Sequence, residues 1–285
     1  MNAPPSVAED VRRALAEDVG AGDLTAAVIP AERTAEAEVI AREAAVVCGR
    51  PWFDGVFAQL DPAVTVTWAC AEGEPVAAGA PLCRLAGPAR SLVSGERTAL
   101  NFLQTLSATA TTTRALVDAV AGTGVAILDT RKTLPGLRAA QKYAVRAGGG
   151  GNQRQGLFDA LLVKENHILA AGSITAAVTA ARAAHPTAPL QVEVETLDEL
   201  REALAAGVER VMLDNFDCAG LRAARAQAGP RVRLEASGNV DADGVAAIAA
   251  SGVDDISVGA LTKHIRAVDL SMRFRGLAGR EPGRA

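Results

Sequence analysis

From about residue 125 onward the chain alternates short apolar runs with helical segments, and this alternation limits the fold more than any other feature of the sequence. The runs are VAILD, ALLVK, LQVEVE, RVMLD, VRLEA and DISVG, with helical stretches such as TLDELREALAAG and DADGVAAIAASG between most of them. Strands separated by helices run parallel and are joined by right-handed crossovers. The spacings from run to run are unequal, which predicts an irregular open α/β barrel over a regular eightfold one.

The amino-terminal third reads differently. Ser6 and Glu9 fit a capping box for a helix over VAEDVRRALAEDV, which the glycines of VGAGDLT end. Strand-like EAEVIAREAAVV, a short amphipathic PWFDGVFAQL, strand VTVTW and a hairpin over EGEPVAAGAPLCRLAG follow. Ser94 is placed to cap a helix over ERTALNFLQTLSATA, with Leu100 and Leu103 on its buried stripe and Arg97, Asn101 and Gln104 on another face. After the last barrel-like unit, VDLSMRF has period two, which suits a strand returning to the amino-terminal sheet with Val268, Leu270, Met272 and Phe274 on one face. GLAGREPGRA is expected to be a loose tail.

At 49% apolar and 22% charged residues the chain is globular. No apolar run approaches the roughly 18 residues needed to span a bilayer, and MNAPPSVAED lacks the charged and apolar regions of a signal peptide. A cytoplasmic protein without membrane or nucleic-acid partners is expected. Cys48, Cys70, Cys83 and Cys218 form no C-x-x-C pair and are expected to be buried free thiols. The net charge of -4 is uneven: residues 131–164 carry seven basic residues against Asp159, a net +6 that leaves -10 elsewhere. A cationic island on an acidic protein suits a small polyanion, because the acidic surroundings repel a long anionic partner.

In parallel barrels chemistry sits at the carboxyl ends of the strands. VAILD runs into Asp129, Arg131 and Lys132; ALLVK ends at Lys164; LQVEVE carries Glu193 and Glu195. RVMLD ends at Asp214, VRLEA leads to Glu235, Ser237 and Gly238, and DISVG ends at Gly259. The SGN and GAL turns are expected to open helices whose backbone N–H groups suit a phosphate. Arg138, Lys142 and Arg146 recur at helical spacing and are expected to form a solvated face. Gly148 to Gly151 free the chain to turn tightly or approach an anion closely, with Arg154 nearby.

The strings LDTRKTLPGLRAAQKYAVRAGGG, LLVKENHI, QVEVETLDEL, VMLDNF, EASGN and SVGALT, with EDVGAGDLT and GERTALNFLQTLS upstream, together resemble quinolinate phosphoribosyltransferase, the carboxylating nicotinate-nucleotide pyrophosphorylase. The resemblance covers nearly the whole chain. It implies an amino-terminal α/β sandwich domain over residues 1–106, joined by returning segment 267–276, and a barrel domain over 107–266, with 277–285 as the tail. It also implies a head-to-tail homodimer with shared active sites, a larger assembly of dimers being left open. Quinolinate would be held by Arg131, Lys132, Arg154 and Lys164, with Arg97 reaching in from the partner subunit. Glu193 and Asp214 would hold the ribose side and Mg²⁺-bound pyrophosphate, directly or through water, while Ser237, Gly238 and Gly259 would cradle the 5′-phosphate. Lys132, Lys164, Glu193 and Asp214 carry the expected catalytic roles. Relatives usually have histidine where this sequence has Gln153, so that quinolinate contact is expected to be weaker here. The rivals are a barrel phosphoribosyltransferase for nicotinate or another pyridine acid, the molybdenum-transport-associated relative, and a catalytically idle phosphoribosyl-binding protein. TRKTLPGLR with QKYAVRAGGG and KENH favours the quinolinate enzyme.

Overall fold

The computed structural model describes residues 2–238, 240 and 244–278. Its elements run α1 (Val7–Asp18), β1 (Thr34–Ala41), β2 (Ala45–Val46), α2 (Arg50–Leu60), β3 (Thr65–Trp68), β4 (Pro75–Val76), β5 (Pro81–Pro88), α3 (Ala89–Ala119) and β6 (Ala126–Leu128). Then follow α4 (Arg138–Ala147), β7 (Leu161–Val163), α5 (Glu165–Ala171), α6 (Ile174–Ala184), β8 (Leu190–Val194), α7 (Leu197–Ala205) and β9 (Arg210–Asp214). The chain continues through α8 (Cys218–Ala228), β10 (Arg233–Ser237), α9 (Val245–Ala249), β11 (Asp255–Ser257), α10 (Ala260–Lys263) and β12 (Leu270–Ala278). Two compact units result. The first comprises the residues up to Thr112, Leu134–Gly148 and the described residues from His264; the second comprises Thr113–Thr133 and Gly149–Lys263. Residues 134–148 thus group with the first unit although they lie in sequence between two strands of the second.

In the first unit an antiparallel sheet in the order β12-β1-β5-β3 packs against helices. Ala35, Ala37, Val39 and Ala41 alternate along β1 into a core shared with Trp52, Phe53, Val56 and Phe57 of α2 and Leu92, Leu100, Leu103 and Leu106 of α3. Their period of two on the strand and of three to four on the helices buries one face of each. Val268 and Met272 are buried, but Phe274 is exposed. β12 pairs with β1 as the period-two pattern predicts, and it runs on to Ala278, so residues 276–278 lie in a ladder and not in a tail. Residues 279–285 of that expected tail lie outside the described residues.

Four local expectations are corrected. α1 forms, but Ser6 sits in helical backbone and its hydroxyl donates to Asp10 Oδ2 at 3.1 Å, while Glu9 accepts from Arg12, so there is no capping box. β4 and β5 make no hairpin: β4 pairs with β2, and β5 pairs with β1 and β3. Pro75 and Pro81 supply no N–H to a mutual ladder, and the intervening turn docks instead on β1 through Gly79 N donating to Ala41 O at 2.7 Å. Ser94 lies inside α3, which starts five residues earlier at Ala89; its hydroxyl donates to Asp23 Oδ2 at 2.7 Å. On the same helix Arg97 and Asn101 are exposed and Leu100 and Leu103 buried, as the spacing predicts. The cationic stripe of α4 is not a solvated face: Lys142 is 1% exposed, Arg138 half-buried, and only Arg146 is exposed. α4 buries every residue from 140 to 145, so periodicity carries no information about an open side. Cys48, Cys70 and Cys83 are buried and Cys218 half-buried.

The second unit is an α/β layer. All six expected strands form one parallel sheet in the order β6-β11-β10-β9-β8-β7. β6 and β7 are its edges, so the barrel is open. The last residue of the glycine-rich segment lies at the free edge of β6. Gly151 pairs with β6, its N–H donating to Ile127 O at 2.8 Å, and a Cβ there would meet Leu128 Cδ2 at 2.7 Å, so a larger residue would require the Leu128 side chain to shift. No helix among the described residues is long and apolar enough to cross a membrane.

Candidate active site

Because successive side chains of a strand face opposite sides, residues two apart share the barrel interior. Gln191 and Glu193 on β8, Met212 and Asp214 on β9, and Glu235 and Ser237 on β10 follow this spacing, and the ladders place Glu193 beside Met212 and Asp214 beside Ser237. The interior is therefore polar, unlike the apolar filling usual in closed barrels.

At the carboxyl ends of the strands the second unit brings together ten of the expected site residues. Asp129, fully buried after β6, accepts from Gln153 N at 2.9 Å and from Asn152 Nδ2 at 2.5 Å. Arg131 follows half-buried and Lys132 exposed. The Lys132 carbonyl accepts from Thr262 Oγ1 at 2.8 Å, and a Cβ on Gly259 would lie 3.0 Å from Lys132 Cδ, so Gly259 and Lys132 are neighbours. Lys164 Nζ at the end of β7 is ion-paired with Glu193 Oε2. Asp214 accepts from Asn215 Nδ2 at 2.8 Å, and Asn215 N donates to Ser237 O at 2.9 Å. Gly238, with φ +133°, presses on that asparagine: a Cβ would meet Asn215 Oδ1 at 2.7 Å. Arg154 is half-buried with Nη1 donating to Ala160 O at 3.1 Å.

Burial pushes the Glu193 carboxyl pKa up; the Lys164 hydrogen bond and charge oppose this, and the Asp214 charge adds to it. Burial lowers the Arg154 pKa, and the like charge of Arg131 lowers it further. The site thus holds two half-buried guanidinium groups close enough to repel and two carboxylates close enough to do the same. A bound anion relieves the first repulsion and a cation the second.

Some expected site features are placed differently. Arg97 belongs to the first unit, exposed on α3. Glu235 is not a strand-end group: it is fully buried within β10. SGN does not open a helix directly, since the next described helix starts at Val245; Asn239 lies outside the described residues. GAL does open a helix, the single turn α10. Gln153 turns its side chain inward, with Nε2 donating to Glu235 Oε1 at 2.8 Å and Oε2 at 2.7 Å and to Gln191 Oε1 at 2.9 Å. Gln191, Arg210, Asn152 and Asn215 join the site without having been expected there. Gln191 and Arg210 were detectable two and four residues before named site acids on the same strand faces, and Asn215 holds a positive φ of 57° that asparagine tolerates better than most residues.

Comparison with known proteins agrees with this architecture. The chain is 43% identical over 278 residues to a probable carboxylating nicotinate-nucleotide pyrophosphorylase from Synechocystis sp., covering 95% of this chain and 94% of that one. The solved nicotinate-nucleotide pyrophosphorylase of Francisella tularensis superposes with a TM-score of 0.93 at 46% identity, covering 96% of this chain and 98% of that one. Human nicotinic acid phosphoribosyltransferase, at 17% identity and a TM-score of 0.67 over 96% of this chain and 75% of its own, shares the fold alone. The N-terminal domain of quinolinate phosphoribosyl transferase matches residues 23–107 and its C-terminal domain residues 109–273. With both domains of the family matched in order along the chain and relatives more than 40% identical over nearly all of it, the chain belongs to the quinolinate phosphoribosyl transferase family.

Proposed function

We propose that this protein transfers the phosphoribosyl group of phosphoribosyl pyrophosphate to quinolinate with loss of carbon dioxide, giving nicotinate mononucleotide and pyrophosphate for NAD biosynthesis. The observation that carries this is the apposition, in one unit, of Arg131, Lys132, Arg154 and Lys164 with Glu193 and Asp214 at the ends of a single parallel sheet. Guanidinium and ammonium groups hold a planar dicarboxylate through charge-assisted hydrogen bonds. Loss of pyrophosphate leaves positive charge on the ribose, which Glu193 and Asp214 stabilise. Attack by the pyridine nitrogen then makes that nitrogen cationic, and it stabilises the electron pair left on the ring carbon as the adjacent carboxylate departs as carbon dioxide, until a proton from solvent takes up that pair. Ser237, Gly238 and Gly259 hold the 5′-phosphate, the two glycines allowing backbone to approach it.

No cluster of three or more metal-ligating side chains forms among the described residues. Glu193 and Asp214, two carboxylates whose charges act on each other, would hold Mg²⁺ directly or through water, since this ion takes oxygen ligands. Bound there with the donor, Mg²⁺ would supply charge neutralisation to the pyrophosphate. We assign the enzyme to the cytoplasm and to a homodimer in which Arg97 completes the partner's site. In the presence of donor and Mg²⁺, quinolinate should give equal amounts of carbon dioxide and pyrophosphate, and turnover of nicotinate at the same rate would overturn the assignment. Mixing inactive Arg97→Ala with inactive Lys164→Ala subunits should restore part of the activity, whereas none after proven subunit exchange would refute the shared site.

A further inference from the structure

Beneath the site, buried polar groups join into one chain of hydrogen bonds. Glu235 is 0% exposed in the middle of β10. Its carboxylate accepts from Gln153 Nε2, from Gln191 Nε2 at 2.9 Å and from Arg210 Nη2 at 3.1 Å. A buried carboxylate is tolerated when it is surrounded by donors, and these three side chains present only donors to it. Gln153 passes the constraint on, because its Oε1 accepts the backbone N–H of Arg154 at 3.0 Å. The other side of the same turn rests on a second fully buried carboxylate, Asp129, through Gln153 N and Asn152 Nδ2. Residues 152–154 are thus gripped between Asp129, which holds backbone, and Glu235, which holds the Gln153 side chain.

We infer that Glu235 is a positioning residue for the dicarboxylate substrate: through Gln153 it fixes the turn that presents Arg154, and Gln153 is the link and not itself a substrate contact. The role assigned to Arg154 rests on the proposed function; the grip on the turn does not. The amide suits this task for a chemical reason. Its NH₂ end can donate to a carboxylate while its oxygen accepts from a backbone N–H, a division of labour that neither a carboxylate nor a thioether can perform.

The chemistry also supplies a reciprocal test. Gln153→Glu sets two carboxylates against each other, and Glu235→Gln leaves three donors competing for one oxygen. The double variant Gln153→Glu/Glu235→Gln exchanges donor and acceptor and restores the link between the two residues, losing only the donation to Gln191 Oε1, with residue 153 still accepting from Arg154 N. Each single variant should raise the KM for quinolinate about tenfold, the loss of roughly one hydrogen bond to a charged group, while the KM for phosphoribosyl pyrophosphate stays within about twofold. The double variant should recover most of the quinolinate KM. Amide hydrogen exchange in the substrate-free protein, read on the peptide containing residues 152–156, should accelerate in both single variants and return in the double one. Unchanged exchange in the single variants would overturn the inference whatever the enzyme's substrate proves to be. A quinolinate KM raised by Gln153→Met but not by Glu235→Gln would also overturn it, by making Gln153 a direct contact. Should the native protein fail to turn over quinolinate, the proposed function falls and the exchange measurement alone decides the inference.

Discussion

Replacing Lys164 by methionine tests whether the ion pair at the heart of the site holds a carboxylate that its surroundings do not want ionised. Glu193 is 8% exposed and Lys164 39% exposed, so the change removes the counter-ion of a buried acid from a partly solvated position. Breaking a fully buried pair costs about 3–5 kcal/mol, and breaking an exposed one about 0–1. With the lysine more than one-third exposed, the expected cost is about 2 kcal/mol, or roughly 4–8 °C in Tm for a domain of this size. The pH dependence carries the reasoning. The Glu193 carboxyl pKa already stands above its ordinary value of 4.5 through burial, and losing the opposing lysine raises it further. A pKa higher in the folded than in the unfolded state means that folding favours the protonated acid. The deficit of Lys164→Met relative to the native protein is therefore small in acid, develops as pH rises through the folded Glu193 pKa, and is complete above it. Thermal unfolding of both proteins from about pH 5 to 8 reads this directly. Adding Glu193→Gln should return most of the lost stability and flatten the difference, while catalysis stays lost in both variants. An equal deficit across the pH range, or no gain from the second substitution, would refute the argument.

Gly238→Ala forces an L side chain into φ +133° and a contact of 2.7 Å with Asn215 Oδ1; it should cost about 1–3 kcal/mol in thermal unfolding. Because Asn215 holds Asp214, the KM for phosphoribosyl pyrophosphate should rise as well, and a variant with native Tm and KM would contradict both statements. In Gly95→Ala a helix gain of about 1 kcal/mol competes with a Cβ only 2.6 Å from Phe57 Cε1, and overpacking at about 1–3 kcal/mol should win. A higher Tm would show that the ring yields.

The barrel was legible because each strand is a short, largely apolar run between turn signals, alternating with helical segments. The ring of strand-end groups was legible for the same reason, since strand direction alone assigns them to one end. What failed were features decided by partners distant in sequence. Ser94 reads as a cap, yet α3 starts at Ala89 because Leu92 already belongs to the core. The EGEPVAAGAPLCRLAG hairpin was contradicted by its two prolines and by β2, a two-residue partner too short to show a pattern. Lys142 looked solvated because charge ordinarily marks a surface, and nothing local announces a buried lysine. At Gln153, which reads as a substituted substrate contact, nothing local shows that the side chain also engages Glu235 and Gln191, on strands far along the chain.

The order in which the chain visits its two units bears on how it is made. It passes between them four times, and β1, residues 34–41, is flanked by β5 on one side and by β12, residues 270–278, on the other. During synthesis the first sheet therefore lacks its outer strand until β12 has followed the whole of the second unit out of the ribosome. Meanwhile the edge of β1 presents unpaired backbone groups, a template for pairing with other chains. Contacts of such long sequence separation also slow folding. A chain stopped short before β12 would lose little of the site-bearing barrel in sequence, yet it would expose this edge permanently and be prone to aggregate.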